Sequence, residues 1–204
     1  MNMFSDSWSR TWRGLQADGE GDAAQQLLLS KYAETIRQYH TQQHLAECLS
    51  LFAELMNQAE YPAEVEMALW FHDAIYELKR HDNEEQSAAL ARTVLTAAAV
   101  APASIQRIEN LILATRHTAL PVSRDEQLLV DIDLAILGAD ALRFAEYEKQ
   151  IRDEYSFVPK WIFNHKRRAI LQTFLARERI YSTDVMFAKR EAQARINLRA
   201  AIGV

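Results

Sequence analysis

The chain contains few residues that interrupt helices. Of its 204 residues only five are glycine and four are proline, and no segment shows the alternation of polar and β-branched residues that predicts a half-buried strand. Apolar residues instead recur three and four positions apart, which places them on one face of a helix. We therefore predict an all-α fold.

The length and composition are those of a globular protein with a sizeable core. Apolar residues make up 49% of the chain and charged residues 25%, both ordinary for such proteins. The sequence shows no internal repeat and no convincing linker. We predict a single-domain helical bundle over residues 1–204, with residues 1–30 as its N-terminal extension or first layer.

Capping residues and apolar stripes give approximate helix positions. Asp22 can cap a segment that runs to Ile36, and Thr41 can cap the next helix. Pro62 suits the first turn of a helix that continues to Tyr76. Further helices are predicted over residues 84–100, from Pro102 onward, and over residues 139–151, 163–180 and 189–201.

One further helix has signals at both ends. Ser123-Arg-Asp-Glu126 matches the capping-box pattern, in which each side chain bonds to the other residue's backbone. We expect this helix to pass through Leu129 and end near Gly138, which would adopt a left-handed C-cap conformation.

Charge and cysteine content limit the classes of partner. A formal net charge of −5 argues against nucleic acid and against anionic membranes, and no apolar run approaches the roughly 20 residues that span a bilayer. The single cysteine, Cys48, excludes an intrachain disulfide and suits a reducing compartment. We expect a cytoplasmic protein in which Cys48 packs in the core.

Three separated segments place imidazoles and carboxylates on apolar helix faces. His44 lies four residues before Cys48, His72 three after Leu69, and Asp133 four after Leu129. Neighbours at these spacings share a face, so these groups are expected to point inward. Burying an ionised carboxylate costs several kcal/mol unless it is compensated. One shared divalent cation would compensate all of them.

Each segment alone has an ordinary structural explanation. An inward histidine is commonly a hydrogen-bonded core residue, a His-Asp dipeptide occurs by chance, and an inward aspartate often caps a helix or pairs with arginine. On that reading the chain is a helical interaction protein with accidental motifs. The ordered combination on three predicted helices favours a metal site instead.

The combination resembles the signature of the HD superfamily of metal-dependent phosphohydrolases, in particular a bacterial subgroup of predicted hydrolases. The similarity covers roughly residues 30–200 and is carried by Arg37-Gln-Tyr-His40-x-x-x-His44, Trp70-Phe-His72-Asp73-Ala-Ile-Tyr76, Asn83-Glu84-x-x-Ser87-Ala88, Ala114-Thr-Arg-His117 and Asp131-x-Asp133-Leu-x-x-Leu-Gly138.

The resemblance implies an HD-type helical bundle that binds a divalent metal. That signature consists of a first His, a His-Asp pair and a distal Asp. In this chain they would be His44, His72-Asp73 and Asp133. His40 lies one turn from His44 and competes as first ligand, and Asp131 competes with Asp133. Nitrogen and carboxylate ligands suit one ion, or two, of manganese, iron, cobalt, nickel, zinc or magnesium.

The implied activity is hydrolysis of a phosphomonoester or phosphoanhydride by a metal-activated water. The substrate would be a small phosphorylated molecule such as a nucleotide. The alternative is a non-catalytic HD regulatory module that binds metal and nucleotide without turnover.

Nearby residues are candidates for the remaining roles. Glu77, one helical turn beyond the His-Asp pair, could act as general acid or base together with Asp73. His117 could bind phosphate, protonate a leaving group or join a second metal. Phosphate oxygens could be bound by four further side chains: Arg37, His40, Lys79 and Arg116. For the cations among these, a solvated surface position is the competing explanation.

Overall fold

In a computed structural model of the protein, which describes residues 3–203, the chain is helical throughout. The described residues form ten α-helices and contain no strand, so the all-α prediction is confirmed. The α-helices are α1 (Met3–Gly14), α2 (Asp22–Lys31), α3 (Gln42–Leu55), α4 (Pro62–Phe71), α5 (Asn83–Ala97), α6 (Pro102–Ala114), α7 (Arg124–Asp133), α8 (Ala141–Glu154), α9 (Lys160–Leu175) and α10 (Asp184–Ile202).

The chain divides into two compact units, Met1–Ile132 and Asp133–Val204. The single domain expected from the sequence stays a prediction. Every helix described between residues 3 and 203 is too short or too polar to cross a lipid bilayer.

The first unit is built around α4. Every residue of this helix from Glu64 to Phe71 is buried, because α1, α3, α5 and α6 all pack against it. The α1 helix contributes Trp8, whose ring meets that of Trp70 edge-on with centroids 5.1 Å apart. This helix lies within the segment for which the sequence predicted only an extension or first layer.

Most predicted helix starts are confirmed. The Thr41 hydroxyl accepts from the Gln43 N–H at 3.3 Å, as an N-cap should, and α4 and α6 begin at Pro62 and Pro102. The capping box is present as well: the Ser123 hydroxyl accepts from the Glu126 N–H at 3.2 Å, and the Glu126 carboxylate accepts from the Ser123 N–H at 3.0 Å.

Several predicted helix ends are wrong. The α2 helix stops at Lys31 rather than Ile36, and α4 stops at Phe71 rather than Tyr76. Beyond α4, the guanidinium of Arg37 donates to the carbonyls of Asp73 and Ala74 at 2.6 and 3.0 Å. A long-range partner therefore replaces the next helical turn in satisfying these carbonyls.

The second unit is organised by a short 3-10 segment, Leu134–Gly138, against which α8 and α10 pack. The Asn197 amide donates to the carbonyls of Leu137 and Ala139 at 2.9 and 2.8 Å. Gly138 is not the left-handed C-cap predicted from the sequence. A Cβ on it would lie 2.7 Å from the Arg190 carbonyl oxygen, so this glycine permits a close approach of α10.

Candidate metal centre

Three predicted ligands converge inside the first unit. His44 lies on α3, His72 caps the C-terminus of α4, and Asp73 follows it. The two Nε2 atoms of His44 and His72 are 3.1 Å apart. The Asp73 Oδ2 lies 3.1 Å from the His72 Nε2 and 3.5 Å from the His44 Nε2. Both imidazoles are buried, with exposed fractions of 2% and 1%.

The spacing of these three atoms fits a transition-metal ion. A point about 2.1 Å from each atom, the usual metal–nitrogen distance, lies about 0.9 Å above the plane of the triangle they form. The angles at that point are about 95° for the two pairs that include His72 and about 113° for the third. Such angles match three adjacent positions of an octahedral or tetrahedral shell.

The His72 ring is oriented for this role by its other nitrogen. Its Nδ1 lies 2.8 Å from the Leu69 carbonyl oxygen, which can only accept, so Nδ1 carries the proton. In the neutral ring the Nε2 lone pair then points at the His44 Nε2 and the Asp73 carboxylate. Lone pairs that face one another at about 3 Å repel, and either a hydrogen atom on the His44 Nε2 or a metal ion shared by these atoms would relieve that repulsion.

The Asp73 carboxyl responds to the same surroundings. Burial by itself would raise its pKa, but the charges of His72 and His40, a hydrogen bond from His72 and the charge of His44 more than offset that effect. Its pKa therefore lies well below the usual range for aspartate. The carboxyl is held in the ionised form that a metal ligand needs.

Cys48 lies beside these ligands. Within the first unit, His44, Cys48 and His72 belong to a group of side chains whose ligand atoms lie within 4.8 Å of one another, so the group could hold a metal ion. Cys48 is 2% exposed, which confirms the prediction that it packs in the core. The choice of Asp133 over Asp131 as ligand stays a prediction.

The competing first ligand, His40, lies beside the cluster. Its ring stacks on Tyr76, with centroids 4.1 Å apart and planes 27° from parallel, and its centroid is 6.0 Å from that of His44. The observed distances thus favour His44 as the first ligand. The expectation that His40 contacts substrate stays a prediction.

The turn that presents His72 and Asp73 is held by residues from other helices. The Tyr32 hydroxyl donates to the Trp70 carbonyl at 3.2 Å and accepts from the Asp73 N–H at 3.3 Å. The Ser87 hydroxyl accepts from the Ile75 N–H at 3.0 Å. Sequence reasoning gave neither side chain a role, because the contacts join segments 12 to 41 residues apart.

Arg37 was expected to bind phosphate, but its side chain is fully buried. Besides the two carbonyls beyond α4, its guanidinium contacts the His40 carbonyl at 3.3 Å and the Glu34 carboxylate at 3.1 Å. Each of its nitrogens is therefore engaged by the protein. In this arrangement Arg37 positions the turn that carries Asp73.

Glu77 does not share a helix with the His-Asp pair. The prediction that it lies one helical turn beyond this pair is therefore wrong. It lies in the irregular segment after α4, with 60% of its side chain exposed. Asn83 fixes its backbone: the amide accepts from the Glu77 N–H at 3.0 Å and donates to the Glu77 carbonyl at 3.1 Å. The general acid-base role of Glu77 stays a prediction.

The remaining candidates lie in this segment and after α6. Lys79 is exposed. Arg116 forms an ion pair with Glu85. His117, beyond the end of α6, adopts a left-handed backbone conformation with a φ of 54°, which is uncommon for a residue other than glycine. Their expected roles stay predictions.

Comparisons of the chain with protein-family models, with curated proteins and with solved structures found no match.

Proposed function

We propose that the chain is a metal-dependent phosphohydrolase of the HD type. It would cleave a phosphomonoester or phosphoanhydride in a small phosphorylated molecule such as a nucleotide. His44, His72, Asp73 and Asp133 would hold one divalent ion. The observation that carries the proposal is the convergence of two imidazole nitrogens and a carboxylate oxygen within 3.1 to 3.5 Å of one another in a helical unit.

The donor atoms limit which metal ions suit the site and which chemistry such an ion would supply. Imidazole nitrogen and carboxylate oxygen suit manganese, iron, cobalt, nickel and zinc better than calcium. When bound, such an ion supplies Lewis-acid polarisation of a phosphoryl group and acidification of water.

The chain's own residues orient the ligands. The Leu69 carbonyl fixes the His72 tautomer, which keeps the Nε2 lone pair directed at the cluster. Arg37 and Ser87 hold the turn that carries Asp73, so the carboxylate does not have to be ordered when substrate arrives. These contacts supply the preorganisation that hydrolysis at a fixed site requires.

Substrate binding would involve the segment that follows α4. His40, whose charge helps to lower the pKa of Asp73, is the candidate for a contact to a phosphoryl oxygen. Arg116 would have to exchange its partner Glu85 for phosphate. Glu77 and His117 are the candidates for moving a proton to the leaving group, and the exposure of Glu77 would allow it to approach a bound molecule.

The test is turnover by protein that has been stripped with a chelator and reloaded with single metals. Phosphate release is measured from nucleoside mono-, di- and triphosphates and from sugar phosphates. We expect one tightly bound ion per chain and hydrolysis that depends on it, with loss of activity in His72→Ala and in Asp73→Ala. The exposed His165 provides a matched control, since His165→Ala should retain full activity.

Two results would contradict the proposal. Protein that takes up no ion would remove the metal centre altogether. Protein that binds one ion and a nucleotide, but hydrolyses none of the compounds with any metal, would be a regulatory module rather than an enzyme.

A further inference from the structure

Tyr76 lies on the segment that follows α4, and its ring packs against the imidazole of His40. The ring centroids are 4.1 Å apart and the planes are 27° from parallel, so the two rings are stacked. Both side chains are half-buried. The proposed function gives His40 a role in binding phosphate and gives Tyr76 none.

The His40 ring has a second aromatic neighbour, Tyr39, which is 4% exposed. The Tyr39 and His40 rings lie at 81° to each other, with centroids 4.9 Å apart. An imidazole that stacks on one ring and lies perpendicular to another has little freedom to rotate. Tyr39 also packs against the His44 ring at 4.8 Å, so a substitution there would disturb the metal centre as well. Tyr76 is therefore the more informative of the two neighbours.

One guanidinium holds the backbones of His40 and Asp73 in a fixed relation. The Arg37 Nη1 donates to the carbonyl oxygens of both residues, at 3.3 and 2.6 Å. The guanidinium carbon also lies 5.5 Å from the centroid of the Tyr76 ring, within range of a cation–π contact. The charge of His40 lowers the pKa of the Asp73 carboxyl. The His40 side chain is therefore held close to the carboxylate of the candidate metal centre.

We infer that Tyr76 is a positioning residue, which by stacking on His40 fixes the imidazole in the orientation that donates a hydrogen bond to a bound phosphoryl oxygen. The inference rests on the proposed function, which assigns the phosphoryl contact to His40. A donor that is already oriented when the ligand arrives loses less conformational entropy on binding. Tyr76 then acts on substrate affinity through His40.

The orientation of His40 is tested by NMR spectra of the imidazole protons in the full-length protein. The chain has six histidines, and the set of signals that disappears in His40→Ala belongs to the His40 ring. The ring current of a stacked tyrosine shifts protons above its face upfield. We therefore expect the His40 signals to move downfield in Tyr76→Leu and to stay upfield in Tyr76→Phe, which keeps the ring.

Phosphate binding and turnover measure the consequence of that orientation. Inorganic phosphate is titrated into zinc-loaded protein in a calorimeter. In Tyr76→Leu the affinity for phosphate should fall about 3- to 10-fold, the range expected for the loss of one aromatic pair, while zinc content equals that of the wild type. The KM for a hydrolysed substrate should rise by a similar factor with little change in kcat, since the contact is present in both the bound state and the transition state. Tyr76→Phe should behave like the wild type.

Two controls separate positioning from general packing. Adding Tyr76→Leu to His40→Ala should cause no further loss of phosphate affinity, because a residue that acts through His40 has no ring left to orient. Tyr61→Leu makes the same change at a tyrosine that is 41% exposed and packs against Arg107. It should change neither the His40 signals nor the affinity for phosphate.

The outcomes distinguish this inference from the proposed function. Wild-type protein that binds no phosphate, His40 signals that do not move in Tyr76→Leu, or equal losses of affinity in Tyr76→Leu and Tyr76→Phe would each overturn the role of Tyr76. If Tyr76→Leu does not fold, nuclear Overhauser contacts between the two rings in the wild type replace it, and their absence would overturn the inference. Coupled loss of phosphate affinity in a protein that hydrolyses no phosphate compound would support the inference and contradict the proposed hydrolase.

Discussion

The carboxylates near the two ends of α4 have different kinds of partner. Near the N-terminal end, the Glu64 carboxylate accepts two hydrogen bonds of 2.6 Å from Arg107, and Glu66 is bound by Arg10 and by the Ser7 hydroxyl. Beyond the C-terminal end, the Asp73 carboxylate instead faces the ring nitrogens of His72 and His44.

The difference lies in whether the partner of the buried carboxylate can be exchanged. A guanidinium is permanently protonated and cannot leave, so the pairs at the N-terminal end are fixed. Imidazole nitrogens can each offer a lone pair instead, so the cluster at the C-terminal end could hold an exchangeable cation. We therefore expect substitutions at the first end to change stability and substitutions at the second to change metal binding.

The largest effect is expected from His72→Ala. It removes the nitrogen that lies 3.1 Å from both the His44 Nε2 and the Asp73 Oδ2, and ion binding should be lost. Metal content after dialysis and the shift in melting temperature on adding zinc measure the result. Retention of one tightly bound ion by folded His72→Ala protein would contradict the assigned centre.

Arg107→Met is expected to act on stability alone. It leaves the buried Glu64 carboxylate, of which 6% of the side chain is exposed, without its partner. Losing one member of a buried pair costs about 3–5 kcal/mol, and the 40% exposure of the Arg107 side chain places the expected loss toward the lower figure. Urea unfolding measures it.

A second substitution tests the reason for that loss. Adding Glu64→Met removes the unpaired charge and should recover most of the stability, with metal content equal to wild type in both variants. An Arg107→Met protein that unfolds like the wild type but lacks metal would reverse the distinction between the two ends.

The sequence predicted the fold class and the helix starts because these depend on local chemistry. Pro62, Thr41 and the Ser123–Glu126 box act within one helical turn, and each behaves as expected. Helix ends depended on distant residues. The end of α4 is set by Arg37 and Ser87, whose bonds to this segment no local pattern records.

The predictions for the candidate site also succeeded where they depended on local sequence patterns. The prediction that His44 and His72 point inward followed from apolar spacing, and both are buried. The prediction for Glu77 assumed a helix that continues past Phe71, so it lost its geometric basis when the helix ended there. The prediction that Cys48 packs in the core followed from the same apolar stripe, and Cys48 is buried.

Removal of the ion should destabilise the wild type selectively. A ligand present at 100 times its dissociation constant stabilises the folded state by about 2.7 kcal/mol, and a chelator in excess removes this contribution. Urea unfolding with and without chelator measures the difference. The same treatment should leave the stability of His72→Ala unchanged. An equal loss in both proteins would show that the chelator acts elsewhere.

The smallest effects come from two buried serines, one at each end of α4. Ser87→Ala leaves the Ile75 N–H without its 3.0 Å acceptor and loosens the turn that carries Asp73, so metal affinity should fall about tenfold. Ser7→Ala removes a 2.7 Å hydrogen bond to Glu66 and the acceptor of the Trp70 indole N–H.

Both serine substitutions should cost about 1–3 kcal/mol of folding free energy, because each leaves a buried polar group unsatisfied. Only Ser87→Ala should weaken zinc binding, measured by competition with a chromogenic chelator. Equal metal affinities in the two variants would mean that the turn after α4 does not position the ligands. The two ends would then differ only in the partners of their carboxylates, and the hydrogen bonds around the turn would have no effect on metal binding.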